Sequence, residues 1–325
     1  MTAADDPLTP AKGPDGPDGQ ATLDAAEPET NRLTVTSGGV SLAVFSSGDP
    51  GKPTVLLVHG YPDTHRVWDV VCRDLAADFH VVRYDVRGAG RSGCPADLAG
   101  YRLDRLADDL FAVADAVSPN RPVHVAGHDW GSIQAWHAVT DARAAGRIAS
   151  FTTISGPCLD HAGYWFRRRL ARPTPRHLAQ LIGQWRRSWY IAVFQLPVAA
   201  PFVWRRWLAA RWDRYLRIGE GVSPVPGYPE PTLADDAVRG IGLYRANMRS
   251  HIRRPRPRHA AVPVQVITPT RDHYVSVALA AQDLDRWASR LSRETIDATH
   301  WSVLTEEGPT VARMIRQFAH SAGTA

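Results

Sequence analysis

The sequence predicts an α/β fold, in which a mostly parallel central sheet has helices on both faces and a helical cap is inserted into the chain. Two observations predict the sheet. Apolar runs typical of buried strands alternate with helical segments, and a glycine-flanked turn at 127–131 joins one strand to the next helix. A third observation predicts the cap, because the alternation stops near Pro157, resumes after 258, and leaves between them a segment rich in Arg and Trp.

The composition indicates a globular protein with an acidic tail. The chain has 325 residues, 44% of them hydrophobic and 11 of them Trp, enough for a large buried core. Residues 1–30 contain seven acids, one Lys and no aromatic residue, and therefore predict a disordered segment. Three cysteines, Cys72, Cys94 and Cys158, are too few for a disulfide framework. Because neither a signal peptide nor an apolar run of about 20 residues is found, we expect a cytoplasmic protein.

The elements of the core follow one another in the order expected of βαβ units. Before the cap, the predictions are two short strands around Gly38-Gly39, a strand at 53–60, a helix to about 78, a strand at 80–88, a helix at 101–117, a strand at 122–128, a helix at 130–141 and a strand at 148–156. After the cap they are a strand at 263–270, a helix at 277–289, a strand at 292–299 and a helix at 308–320. We therefore expect a core of residues 31–156 and 259–325 and a cap of residues 157–258.

A second glycine-rich stretch, Gly-Ala-Gly-Arg-Ser-Gly at 88–93, matches the spacing of a dinucleotide-binding loop. In such a loop the helix begins within the motif, so that its N-terminus can bind the pyrophosphate. Here Pro95 and Gly100 come before the next helix, which favours an ordinary loop leaving a strand. We therefore predict no cofactor, and no cluster of residues predicts a metal site.

The turn Gly-His-Asp-Trp-Gly at 127–131 fits a nucleophile elbow with Asp129 in the central position. The flanking Gly127 and Gly131 suit a sharp strand-to-helix bend that leaves little room for side chains. The N-terminus of the following helix supplies free N–H groups and a positive dipole end, which stabilise an anion. An isolated Asp before a helix is usually only an N-cap, but glycine on both sides favours the catalytic interpretation of Asp129.

Three further positions complete a candidate catalytic set. The stretch His-Gly-Tyr-Pro at 59–62 ends a strand, so the N–H groups of Tyr61 and Trp130 can form an oxyanion hole. Asp272 follows the first strand after the cap, and His300 follows the last strand, in the order nucleophile, acid, histidine expected for this arrangement. The competing acids lie in or near predicted elements rather than at the exit of that strand: Asp283, Asp285 and Asp297.

These motifs resemble the α/β-hydrolase superfamily, and within it the epoxide hydrolase and haloalkane dehalogenase branch, whose elbow nucleophile is Asp. The resemblance implies the α/β-hydrolase fold over residues 31–156 and 259–325 and, more loosely, a cap between them. The stretches 84–93, 128–136 and 153–161 are most similar to the hydrolase half of a mycobacterial type of epoxide hydrolase. Proteins of that type often continue into a short-chain reductase domain, and since this chain ends at Ala325 we expect no reductase activity.

The resemblance also implies two cap tyrosines that donate a proton. In epoxide hydrolases the first lies four residues before Phe-Gln, the position of Tyr190. The second follows Asn-Trp in the family and precedes Arg, the position of Tyr244, although Gly242 and Leu243 depart from the family pattern. The tyrosines that stay open as alternatives are Tyr164, Tyr215 and Tyr274.

The resemblance implies hydrolysis of a small apolar epoxide to a vicinal diol through an ester of Asp129, a detoxification chemistry. Tyr190 and Tyr244 would donate a proton, and His300, oriented by Asp272, would activate water. Two alternatives stay open. The first is a haloalkane or haloacid dehalogenase, because Trp130 suits a halide site, although that branch has Asn where this chain has Tyr61. The second is a non-catalytic ligand-binding relative, which would need no complete catalytic set.

The cap is strongly basic. Residues 157–258 contain 19 Arg, six acids and six Trp, and the stretch 204–217 places Trp and Leu at helical spacing with Arg between them. The simpler interpretation is an amphipathic cap helix that buries one face against the core. The alternative is a weak peripheral contact with anionic lipid through this basic, Trp-rich surface. No nucleic-acid-binding module is recognised, and the oligomeric state is expected to be monomer or homodimer.

Overall fold

Eight strands form one sheet in the computed structural model, which describes residues 31–223 and 225–323. The predicted acidic tail at 1–30 lies outside the described residues. The strands are β1 (Asn31–Ser37), β2 (Val40–Ser47), β3 (Thr54–Val58), β4 (His80–Tyr84), β5 (Val123–His128), β6 (Ile148–Ile154), β7 (Val264–Pro269) and β8 (Leu291–Ile296). Their order is β1-β2-β4-β3-β5-β6-β7-β8, and only the pairs β1–β2 and β2–β4 among them are antiparallel. The predicted fold class is confirmed.

The central strands are buried on both faces. Every residue of β3, β4 and β5 is buried, as expected of strands in a parallel sheet covered by helices. Because consecutive side chains of a strand point to opposite faces, a continuous apolar run such as 55–58 must find helices on each side. The helices α1 (Asp69–Leu75) and α10 (Gly308–Gly323) pack together, as do α2 (Leu103–Val117) and α3 (Trp130–Val139).

The segment predicted as the cap is helical. It contains α4 (Leu159–Ala171), α5 (Pro175–Phe194), α6 (Ala199–Val203), α7 (Trp212–Gly219) and α8 (Leu233–Arg253). The long α8 connects the cap to the core, because it packs against α4 and against the 3-10 turn Leu98–Tyr101. No helix in the described part of the chain is both long and apolar enough to cross a bilayer.

The stretch 204–217 is not the single regular helix that its spacing predicts. It begins with a π turn at Trp204–Leu208, continues as a 3-10 turn at Ala209–Arg211, and ends in α7. The wide turn shifts the helical phase, so Trp204 and Trp212 are buried while Trp207 is exposed. The expectation that one face of this stretch is buried is therefore met only in part.

The predicted helix at 277–289 is wrong beyond its first turns. The helix α9 (Val277–Ala281) ends early, Asp283 has a positive φ of 66°, and Leu284–Arg286 forms a 3-10 turn. The physical reason is tertiary. The carboxylate of Asp283 forms ion pairs with Arg168 and Arg169 of α4 at 3.1 and 3.2 Å. These contacts hold Asp283 out of the helical conformation.

Candidate active site

Asp129 lies on a strained bend between β5 and α3. Its backbone has a φ of 50° and a ψ of −122°, a conformation that residues with a side chain rarely adopt. Neighbouring backbone segments pack closely against the bend on both sides. A Cβ atom at Gly131 would lie 2.0 Å from the carbonyl oxygen of Val58, and one at Gly127 would lie 2.7 Å from the backbone of Gly131. The two glycines are therefore needed for the close packing of β3, β5 and α3 at this corner.

The carboxylate of Asp129 is held by backbone N–H groups. Its Oδ2 accepts a hydrogen bond of 2.9 Å from the N–H of Tyr61, at the end of β3. A Cβ at Gly60 would lie 2.6 Å from that oxygen, so the absence of a side chain lets the loop come this close. Burial raises the pKa of Asp129, and His300 together with the N–H groups of Tyr61 and Trp130 partly offsets the rise. The predicted oxyanion-hole groups thus both act on one carboxylate.

His300 and Asp272 lie beside Asp129, on the loops that follow β8 and β7. The Nδ1 of His300 is 3.0 Å from Oδ2 of Asp272, and its Nε2 is 3.9 Å from Oδ1 of Asp129. The second distance is longer than a hydrogen bond, so Oδ1 of Asp129 is not bound by the imidazole. The other oxygen of Asp272 accepts the N–H groups of Tyr274 and Val275 at 2.7 and 2.9 Å, which fixes its orientation.

The electrostatics of the three groups follow from their neighbours. Burial alone lowers the pKa of His300, but the charge and hydrogen bond of Asp272, with Asp129 and Glu220, outweigh it and raise the pKa to about 9. Burial raises the pKa of Asp272, but His300 and the two N–H groups lower it below its usual value. The pair is therefore a charged Asp272 holding an imidazole that readily accepts a proton.

The other candidate acids bind arginines elsewhere. Asp297 is exposed and pairs with Arg271 at 2.8 Å, and Asp285 pairs with Arg293 at 2.7 Å. Asp283 pairs with the arginines of α4. Of the four acids considered from the sequence, Asp272 is the one that contacts His300.

A cavity of about 500 Å³ opens in front of Asp129 and His300 between the sheet and the cap. Its wall is largely aromatic and aliphatic. The charged and titratable groups among the lining residues, besides the tyrosines, are Asp129, His300, His273, Arg186, Arg187 and Arg211. The cap residues that line it include Tyr190, Phe194, Trp204, Trp212, Tyr215 and Tyr244. Such a wall suits an apolar molecule with one polar group.

Tyr190 and Tyr244 enter this cavity together. Their ring centroids are 6.0 Å apart, and the ring of Tyr244 is 4.8 Å from that of Trp130. Burial raises the pKa of both phenols, and the charge of Asp129 raises each further. Both hydroxyls are therefore protonated at neutral pH and able to donate.

The departure of Gly242 from the family pattern has a packing reason. A Cβ atom at Gly242 would lie 2.6 Å from the ring of Tyr101, and one at Gly240 would lie 2.6 Å from the ring of Tyr61. Two small residues on α8 therefore let this helix lie directly on two core tyrosines. Tyr244, one half-turn later, reaches the cavity from this close position.

The alternative tyrosines divide into two groups. Tyr215 and Tyr274 also line the cavity, but their hydroxyls hydrogen-bond each other, and Tyr215 donates to Oε1 of Glu220 at 2.8 Å. Tyr164 packs against Trp287, with ring centroids 5.1 Å apart, and lines a different depression.

Glu220 is a buried acid that the sequence reasoning missed. It follows α7, accepts hydrogen bonds from Tyr215 and, through Oε2, from the N–H of Trp301 at 3.3 Å, and its Oε1 is 3.0 Å from Nδ1 of His273. Its charge is one of the groups that raise the pKa of His300. No motif marks it, because its contact with Tyr215 is local in the chain but its contacts with His273 and Trp301 join residues 53 and 81 positions apart.

One group of side chains in the described residues has the spacing of a metal site, and it lies outside the cavity wall. His65, Asp85 and Glu230 bring their ligand atoms within 4.8 Å of one another. His65 already contacts Asp85 at 2.7 Å, and Glu230 faces Arg66 at 3.9 Å. The cluster is therefore accounted for by a contact within the core, between His65 and Asp85, and by the approach of Glu230 of the cap to Arg66 of the core.

Comparison with known families and curated proteins agrees with the fold. The family model described as alpha/beta hydrolase fold matches residues 53–307. "Probable oxidoreductase EphD" of Mycobacterium tuberculosis (strain ATCC 25618 / H37Rv) is 39% identical over 300 residues, which cover 90% of this chain and 50% of that protein. "Epoxide hydrolase A" of the same strain is 40% identical over 134 residues, or 41% of this chain and 40% of that protein. The resemblance to mycobacterial proteins is confirmed, and the chain spans about half the length of the curated relatives it matches.

Solved structures share the fold. An epoxide hydrolase of Bacillus megaterium in complex with an inhibitor superposes with a TM-score of 0.70 at 20% identity, covering 89% of this chain and all of that one. A putative epoxide hydrolase from Pseudomonas aeruginosa gives a TM-score of 0.72 at 23% identity, covering 91% of this chain and 97% of that one. Identities this low support the common fold alone.

Proposed function

Because this chain belongs to the α/β-hydrolase fold family, we propose that it is an epoxide hydrolase, which converts an epoxide to a vicinal diol through an ester of Asp129. The observation that carries the proposal is the single cavity whose wall contains both the Asp129 carboxylate and the Tyr190 and Tyr244 phenols. A relative named "Epoxide hydrolase A", which matches 41% of the chain, adds support.

In the first step Oδ1 of Asp129 attacks a ring carbon of the epoxide. A new C–O bond forms an ester, the C–O bond of the strained ring breaks, and its electron pair stays on the ring oxygen. Tyr190 or Tyr244 donates a proton to that oxygen, so the leaving group becomes a hydroxyl. The raised pKa of both phenols keeps the proton available until the alkoxide develops.

In the second step water attacks the Cγ carbon of the ester. His300 takes a proton from the water, and the negative oxygen of the tetrahedral intermediate is stabilised by the N–H groups of Tyr61 and Trp130. The intermediate then collapses, the bond to the alkyl oxygen breaks, and that oxygen takes the proton held by His300 to complete the diol. The second proton of the water leaves the carboxyl group, which restores the carboxylate of Asp129, and reaches the tyrosine through solvent.

Formation of the ester itself prepares His300 for this role. The charge of Asp129 is one cause of the high pKa of His300, and the ester removes that charge. The pKa of the imidazole therefore falls when a base is required. This coupling favours a two-step reaction over direct attack of water on the epoxide.

The residue type at position 129 fits an sp³ carbon as the target. Displacement by a carboxylate yields an ester, which water can cleave, whereas a serine would yield an ether, which it cannot. A carboxylate nucleophile would also serve a haloalkane or haloacid dehalogenase. The hydroxyl of Tyr61 donates a hydrogen bond of 2.9 Å to the carbonyl of Ala237, so this side chain offers no donor to a halide. The two cap phenols favour an epoxide as the substrate.

The test measures diol formation from styrene oxide by the full chain and by three variants. We expect turnover by the natural sequence, none by Asp129→Asn, and strong losses for Tyr190→Phe and Tyr244→Phe. Circular dichroism and melting temperature serve as the folding control. Release of chloride or bromide from haloalkanes without diol would indicate the dehalogenase, and tight binding of an epoxide without turnover would indicate a non-catalytic relative; either result contradicts the proposal.

A further inference from the structure

The cap exposes a stripe of large apolar side chains on α5. Leu178, Ile182, Trp185 and Trp189 recur at helical spacing and fall on one face of the helix. Trp185 is 71% exposed and Trp189 is 61% exposed. Large side chains exposed next to one another on a monomer usually mark a contact surface.

A second set of exposed apolar residues adjoins the stripe. It lies between the end of α5 and the π turn after α6 and comprises Leu196, Val198, Phe202, Val203, Trp207 and Leu208. The helices α5 and α6 pack against each other. Trp189 of the first set and Val203 and Leu208 of the second line the same cavity in front of Asp129. The two sets, together named the cap patch, therefore meet at the mouth of the cavity.

Unpaired positive charge surrounds the cap patch. Residues 175–219 contain eight arginines and one acid, Asp213. Five of the arginines are exposed and have neither a hydrogen bond nor an ion pair with another described residue: Arg176, Arg186, Arg206, Arg214 and Arg217. Arg211 lies over the ring of Trp207, 5.0 Å from its centroid, so apolar and positive groups alternate within one surface.

We propose that the cap patch docks on an anionic lipid surface and that the cavity takes its epoxide directly from that surface. Trp prefers the boundary between water and lipid tails, and Arg binds acidic headgroups while its methylene stem stays in apolar contact. Helices with apolar residues on one face and Arg around them lie in the plane of such an interface. Neither a second apolar protein surface nor a nucleic acid matches both features equally well.

The second half of this inference rests on the proposed function and names its substrate class. A lipophilic epoxide dissolved in a bilayer would reach the cavity past Trp189, Val203 and Leu208 without crossing water. The aromatic and aliphatic wall behind this rim continues the same apolar path to Asp129. The substrates favoured are therefore epoxides carried on long apolar chains rather than freely water-soluble ones.

A second basic surface supplies an internal comparison. A cleft of about 740 Å³ beside the end of α8 is lined by Arg102, Arg245, Arg249, Arg253, Arg254, Arg256 and Arg258. Its wall has no exposed large apolar side chain among the described residues. If charge alone attracted the protein to lipid, this cleft would contribute as much as the cap patch.

The first arm of the test measures co-sedimentation of the full chain with vesicles. We expect binding to vesicles of phosphatidylcholine and phosphatidylglycerol, weakened by salt, and little binding to phosphatidylcholine alone. Trp185→Ser with Trp207→Ser should weaken binding at least about tenfold through lost apolar burial. Arg206→Gln with Arg214→Gln should weaken it by roughly fivefold for each arginine removed.

Matched controls locate the surface. Leu33→Ser with Leu98→Ser removes exposed apolar side chains of the core, and Arg249→Gln with Arg254→Gln removes charge from the basic cleft. We expect both pairs to bind vesicles like the natural sequence. Equal losses for the cleft pair and the cap pairs, or no dependence on anionic lipid, would overturn the proposal. So would a dimer in analytical ultracentrifugation that dissociates in the Trp185→Ser, Trp207→Ser variant while vesicles stay unbound.

The second arm separates this inference from the proposed function. Asp129→Asn should bind vesicles normally, because the cap patch is independent of the chemistry. For the Trp185→Ser, Trp207→Ser variant, turnover of a long-chain epoxide presented in vesicles should fall by about the same factor as vesicle binding. Its turnover of styrene oxide in solution should be unchanged. Vesicle binding without any diol formation would overturn the proposed function and support the docking surface. Diol formation without vesicle binding would overturn the docking surface and support the proposed function.

Discussion

At the residue scale, two buried aspartates in one site acquire opposite properties from their neighbours. Asp272 accepts two backbone N–H groups and contacts His300, so its pKa falls. At Asp129, burial raises the pKa by more than His300 and the backbone N–H donors lower it, so the net change is a rise. A carboxylate with a raised pKa is the better nucleophile of the two, and one with a lowered pKa is the better fixed counter-charge. The division of roles proposed here follows from that difference.

Replacing the cap phenols should slow ring opening while the protein stays folded. Tyr190→Phe and Tyr244→Phe each remove one proton donor, and we expect the double variant to lose about 10²–10⁴-fold in kcat, the usual contribution of a positioned acid. Tyr164→Phe is the matched control, because Tyr164 packs on Trp287 away from the cavity. Single-turnover kinetics of ester formation is the measurement, and a double variant as fast as the Tyr164→Phe control would contradict the role.

Removing the charge of Glu220 should shift the pH profile of ester hydrolysis downwards. Glu220 helps to raise the pKa of His300 to about 9, and the imidazole must be neutral to take a proton from water. Glu220→Gln therefore lowers this pKa, so the rate rises to its plateau at a lower pH than in the natural sequence. Glu306→Gln is the control, because Glu306 is exposed and, within the described residues, its carboxylate accepts a hydrogen bond from the N–H of Ser223 alone. An unchanged profile, or one moved to higher pH, would contradict the assignment.

The sequence was sufficient to predict the residues whose position follows from the sheet. Asp129, Asp272 and His300 each follow a parallel strand, and the carboxyl ends of such strands share one edge. Glu220 could not be predicted in this way. It reaches the site from the cap. Tyr215 is five residues before it in the chain, but His273 and Trp301 meet it only through tertiary packing.

At the element scale, the elbow depends on the close approach of β3, β5 and α3. Gly131→Ala should destabilise the protein by roughly 2–3 kcal/mol, because its Cβ would overlap the carbonyl oxygen of Val58 and force the backbone apart. Gly183→Ala on α5 is the control. Its Cβ would meet only a guanidinium atom of Arg187 at 3.6 Å, and alanine should stabilise this helix by about 0.5–1 kcal/mol. Chemical denaturation measures both, and equal effects would contradict the packing account.

Local patterns failed at two elements for physical reasons that lie outside them. The helix predicted at 277–289 breaks where Asp283 turns to meet the arginines of α4. The regular helix predicted at 204–217 is interrupted by a π turn, so the exposed face includes Trp207. Periodicity describes which residues can share a face of an ideal helix, and it carries no information on ion pairs or phase shifts imposed by the rest of the fold.

At the scale of the whole molecule, the proposed mechanism takes its nucleophile, base and oxyanion donors from the sheet edge, and its acids and apolar wall from the cap. Each chemical role is therefore assigned to a protein side chain or backbone group. We expect turnover to be unchanged after dialysis against a chelator, because the His65, Asp85 and Glu230 cluster is engaged in contacts within the protein. Activity lost to the chelator and restored by a divalent cation would contradict the proposed chemistry.

The origin of the oxygen in the diol tests the central claim most directly. A single turnover in ¹⁸O-labelled water, with enzyme in excess over epoxide, is analysed by mass spectrometry of the diol and of the peptide that contains Asp129. The ester mechanism predicts an unlabelled diol from the first turnover and one ¹⁸O atom in the side chain of Asp129. A labelled diol together with an unlabelled Asp129 would mean that water attacks the epoxide directly, and would contradict this account.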